Sequence, residues 1–106
     1  MNGTIARVQA PRMLSVRNHL SFLDHLLDHA EAGHREIVVS FAQTVWVDSS
    51  GLLALLTAHR HLAEEAGGGL RLDDVSEELS SLFATTGLAT ALNALTEHAA
   101  AEPARS

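Results

Sequence analysis

A chain of 106 residues with 46% hydrophobic and 19% charged residues falls in the range of one folded domain, outside that of disordered proteins. The formal charge is −6 and lysine is absent, which excludes the classes that bind nucleic acid or an anionic membrane surface. With no cysteine, disulfides and thiolate metal sites are excluded as well.

A chain of this length buries roughly 65% of its unfolded surface on folding. No apolar run approaches the ~20 residues of a membrane span. Met1 to Thr4 lacks the charged and apolar regions of a signal peptide. The sequence therefore reads as soluble and cytoplasmic, without membrane insertion.

In chain order, Thr4-Ile5-Ala6-Arg7-Val8 alternates as a short strand that Pro11 stops. From Arg12 to Ala32 the pattern is helical. Met13, Val16, Leu20, Leu23, Leu27 and Ala30 recur at three- and four-residue spacing and gather on one face, and Gly33 ends the element. Glu36 to Phe41 is a β-branched run suited to a buried parallel strand. Ala42 to Val47 reads as a connector. Leu52 to Ala66 is a second helix, with Leu52, Leu55, Leu56, His59, Leu62 and Ala63 on its apolar face, and Gly67-Gly68-Gly69 stops it.

Leu70-Arg71-Leu72 is the next strand. Asp74 or Ser76 is placed to cap a third helix that carries Val75, Leu79, Leu82 and Phe83 and ends at Gly87. Leu88 to Leu95 fits either a strand or a helix, Thr96 to Ala101 leans helical, and residues 103–106 are a frayed tail. Strands alternating with helices at this spacing imply right-handed crossovers and a small α/β domain over residues 1–102, with a mainly parallel sheet and about four helices.

The stretch that carries chemistry is Asp48-Ser49-Ser50-Gly51-Leu52-Leu53. An acid, two hydroxyls and a glycine open the second helix, where side-chain oxygens pair with its first free amides. A phosphate on a serine there meets the positive end of the helix dipole. A plain helix cap accounts for the same residues.

Val47-Asp48-Ser49-Ser50-Gly51-Leu52, following a buried strand and opening a leucine-rich helix, resembles the STAS domain of bacterial anti-sigma factor antagonists. The long first helix, the 37–41 strand, Gly68-Gly69-Leu70-Arg71-Leu72 and the closing Gly87-Leu88 pair resemble the same family. The resemblance implies that Ser49 is the phosphoacceptor and that Asp48, Ser49, Ser50, Gly51, Leu52 and Leu53 contact the partner. That partner would be an anti-sigma factor, a serine kinase of the histidine-kinase-like ATPase fold, with a serine phosphatase reversing the mark. The unmodified antagonist would bind the anti-sigma factor and free the sigma factor. Three positions depart from the family pattern: Val8 to Arg12 carries no acid, Ser40 stands where Asp or Asn is frequent, and Leu53 where glycine is. The missing acid and Leu53 motivate a second reading, an unphosphorylated STAS-like accessory subunit of a phospholipid-transport ATPase or another regulatory complex.

Other candidates read as structural. His25 and His29 share a helix face at metal-ligand spacing, but no third ligand follows and a solvated face accounts for them. His59 is expected at a core edge, and Trp46 in the core or at its edge, a reading favoured over a place at the rim of a partner interface. The triple glycine lacks the strand-before, helix-after setting of a phosphate loop, and Asp73-Asp74 has no nucleophile beside it. No catalytic residue, cofactor or metal is assigned.

Overall fold

The computed structural model describes residues 5–87. Its main sheet is three-stranded and parallel, in the order β1 (Ile5–Gln9), β3 (Glu36–Ser40), β5 (Gly69–Asp73). Ile5 pairs with Glu36 and Glu36 with Gly69, and the register runs unbroken to Gln9, Ser40 and Asp73. A central strand covered on both faces needs an apolar run rather than alternation. Ile37, Val38, Val39 and Ser40 are accordingly all buried, whereas edge strand β1 alternates, with only Ala6 and Val8 inside.

Helix α1 (His19–Glu31) packs on α2 (Ser49–Ala66) and touches β3, while α2 also lies against β5. Helix α3 (Glu77–Thr86) brings Leu79 and Phe83 to the core, where the Phe83 ring meets Phe41 edge-on at 5.6 Å. Two helix ends show a clear local cause. The Ser76 hydroxyl accepts the Leu79 N–H at 3.1 Å, and Glu77 and Glu78 suit the positive end of α3. Gly67, at φ +74, turns α2 off: its N–H donates to the Ala63 carbonyl, and the Gly68 N–H donates to that of Leu62.

The parallel α/β layout expected from the sequence is present, with three helices among the described residues. The segment 88–102, with its ambiguous element and fourth helix, and the 103–106 tail lie outside them. Four expectations need correction. The first helix does not begin at Arg12. Met13–Leu14 forms a two-residue strand, β2, parallel to β4 (Trp46–Val47), which lies inside the expected connector. Met13, Val16 and Leu20 are exposed, and Phe22 and Leu26 form the buried face of α1, with Leu23 and Ala30 partly packed beside them. Trp46 is 52% exposed rather than in the core. Of the two candidate caps of α3, Ser76 is the one used; Asp74 sits at φ +56 and accepts a 2.8 Å hydrogen bond from the Ser40 hydroxyl, tying the end of β3 to the turn before α3.

His59 is deeper than expected, with no exposed surface. Its Nδ1 accepts the Leu70 N–H at 2.9 Å, so an imidazole of α2 completes the start of β5.

Candidate functional site

The Asp48–Leu53 stretch is built where two short elements meet. The Asp48 N–H donates to the Leu14 carbonyl at 3.0 Å, which carries the β2–β4 pairing one residue further. Asp48 then turns the chain into α2 from an extended conformation, φ −97 and ψ −175, as a helix N-cap requires. Its two carboxylate oxygens are divided. Oδ1 accepts the Gly51 N–H at 3.0 Å, and Oδ2 accepts the Val16 N–H at 3.0 Å from the loop before α1. These bonds, the Gly51 amide first, hold the Asp48 carboxyl below the usual carboxylate range, so it is ionised at neutral pH.

The loop reached by Oδ2 is itself held. Asn18 accepts the Ser15 N–H at 2.9 Å through Oδ1 and donates through Nδ2 to the Met13 carbonyl at 2.8 Å. Ser15 Oγ accepts the Arg17 N–H at 3.2 Å. Asp48 thus joins three segments: β2, the Ser15–Asn18 loop and the first turn of α2.

Gly51 shows how tightly that turn is seated. A Cβ there would lie 2.7 Å from the Leu14 carbonyl oxygen, 2.8 Å from Leu14 Cγ and 3.0 Å from Val47 Cγ1. A helix interior ordinarily gains about 0.5–1 kcal/mol when Gly becomes Ala. Here the collision with backbone outweighs that gain, at a cost of about 1–3 kcal/mol. Gly51→Ala should lower the denaturant midpoint, and a variant as stable as the parent would refute the close seating.

The remaining residues divide by exposure. Ser49, the first helical residue, is exposed, and Ser50 is half-buried. Leu52 packs against the core, whereas Leu53, one turn after Ser49 on the same side of the helix, is 61% exposed. Five of the six residues from Asp48 to Leu53 are therefore exposed or half-buried, and Gly51 is buried. Sequence reasoning missed the other half of the site, Leu14 and Val16, whose contributions are a backbone carbonyl and a backbone amide. No side-chain pattern announces either.

The histidines lie elsewhere. The His29 ring is 5.0 Å from that of His25 and 5.5 Å from that of His34, a neighbour not expected from spacing. Burial, then the charges of His25 and His34, lower the His29 pKa. Among the described residues no group of three or more His, Cys, Asp or Glu could hold a metal ion, and no helix is long and apolar enough to cross a membrane.

A parallel sheet whose central strand leads, through a short strand and an Asp-Ser-Ser-Gly helix start, into an 18-residue helix defines a small α/β domain of STAS type. The family described as "Mlab, STAS domain" matches residues 7–97, and the chain belongs to the STAS-domain family. Among curated proteins none matches it.

Proposed function

We propose that this protein is an anti-sigma factor antagonist, switched by phosphorylation of Ser49. In this reading it is the substrate of a cytoplasmic anti-sigma serine kinase and not itself an enzyme. The observation that carries the reading is the position of Ser49: exposed, first in α2, directly after a capping aspartate whose oxygens are already engaged. A phosphate there adds about −1.5 to −2 charge. The amides and dipole of the helix start stabilise it, so the domain tolerates the group. A partner docked over Ser49 and Leu53 meets the same charge beside Asp48 and is repelled. Incubation with the genomically linked kinase and ATP should label one site, and Ser49→Ala should remove the label. Labelling that persists in that variant overturns the assignment.

A second reading is an accessory subunit of a phospholipid-transport ATPase with Ser49 unmodified, motivated by the absence of an acid from Val8 to Arg12 and by Leu53. There the same end of α2, with the exposed Leu53, serves as a constant contact. Co-purification with a transporter ATPase, and no labelling by any linked kinase, separates this reading from the first.

A further inference from the structure

The charges of this chain are unevenly placed. Residues 1–23 hold three of its seven arginines and none of its thirteen acids, although the whole carries −6. Arg7 is paired with Asp73 at 3.1 Å. Arg12 and Arg17 are exposed and form no ion pair among the described residues.

These two cations bracket β2 and the loop after it, and the side chains around them are apolar and open to solvent. Met13 and its ladder partner Trp46 are each 52% exposed, Val45 57% and Val16 66%. The Val45 N–H donates to the Arg12 carbonyl at 2.8 Å, which keeps this edge of β4 against the start of β2. Asp48, the acid that meets the loop, has its oxygens on the Val16 and Gly51 amides. The loop's own hydrogen bonds through Asn18 and Ser15 fix its backbone before any partner arrives.

An apolar rim with two unpaired guanidinium groups is matched by a surface that offers carboxylates and aliphatic side chains together. We propose that the β2–β4 ribbon and the Ser15–Asn18 loop form a docking surface for an acidic, amphipathic segment of a partner protein. Arg12 and Arg17 take its carboxylates, and Met13, Trp46 and Val16 pack its apolar side. An anionic membrane offers similar chemistry, but a large surface of that sign repels a body of net −6. A protein segment responds to the local charge, because screening limits its reach to about 8–10 Å at physiological salt.

The proposal rests on reading the start of α2 as part of a docking region, and it does not depend on Ser49 being modified. If Ser49 is phosphorylated, the added charge of about −1.5 to −2 offsets the two arginines and weakens docking.

Trp46 is the only tryptophan, so its emission reports on this surface without a label. The full chain is titrated with two amphipathic helical peptides that share one leucine face, one with glutamate and one with lysine on the polar face. The glutamate peptide should move Trp46 emission to the blue and saturate; the lysine peptide should not. The double variant Arg12→Glu, Arg17→Glu should weaken the glutamate peptide by roughly tenfold at low salt. Its unfolding midpoint should match the parent's, since neither side chain has an ion-pair partner to lose among the described residues. Ser49→Ala should titrate like the parent, which separates failure here from failure of kinase labelling. Equal binding of both peptides, indifference to the charge reversal, an equal shift on phosphatidylserine vesicles, or self-association that buries Trp46 would each overturn the proposal.

Discussion

Gly68→Ala should destabilise the domain by about 3 kcal/mol or more, at the upper end of the cost of forcing atoms into a packed site. For a chain of this size that lowers the thermal midpoint by more than about 10 °C. The reason lies across the sheet. A Cβ on Gly68 would fall on the backbone carbonyl of Arg35, just before β3, and backbone has no rotamer with which to yield. The Gly69 N–H donates to that same Arg35 oxygen at 3.1 Å, in line with the β3–β5 register. A side chain at Gly68 therefore pushes β5 away from β3 where their pairing starts. Gly67→Asn is the control. That position asks for a left-handed φ, which Asn adopts at small cost, and its nearest non-local atom is the end of the Arg35 side chain at 3.8 Å. Thermal unfolding of the two variants should differ widely; equal midpoints would refute the Arg35 contact.

His59→Leu should cost about 1–3 kcal/mol, although leucine is apolar and enters an apolar setting. Nδ1 of His59 accepts the Leu70 amide at 2.9 Å, and leucine leaves that buried N–H without an acceptor. His59→Asn keeps an acceptor near Nδ1 and should retain more of the Leu70 protection, despite its smaller volume. Amide hydrogen exchange decides the matter: exchange at Leu70 should accelerate in the leucine variant and less so in the asparagine variant. Unchanged protection in His59→Leu would show that the imidazole is only a filler. Gly69 belongs to the same arrangement, since a Cβ there would lie 2.6 Å from His59 Cε1.

The triple glycine illustrates what sequence reading catches and what it loses. A helix stop is a local event, and Gly67 performs it as expected. Gly68 and Gly69 are glycines for a different reason, contact with Arg35 and His59, which are 33 and 10 residues away in the chain. The first helix starts later than its periodicity implies, for a related cause. Met13, Val16 and Leu20 fit a helical period by themselves, but β2 exists only through its pairing with β4, and two residues are too few to show a period.

By itself the sequence determined the parallel α/β order, strand β3, helices α2 and α3 with their caps, and the place of Asp48 to Leu53 at a helix start. Each of these depends on residues within a turn or two of one another, so local propensity and periodicity suffice. Only the tertiary structure decided that Asp48 divides its carboxylate between Gly51 and Val16, that Gly51 is pressed on Leu14, and that Trp46 faces solvent. Those facts depend on backbone amides, carbonyls and close approaches between distant segments. A one-dimensional pattern of side chains does not encode them, because the groups that meet are the same in every residue.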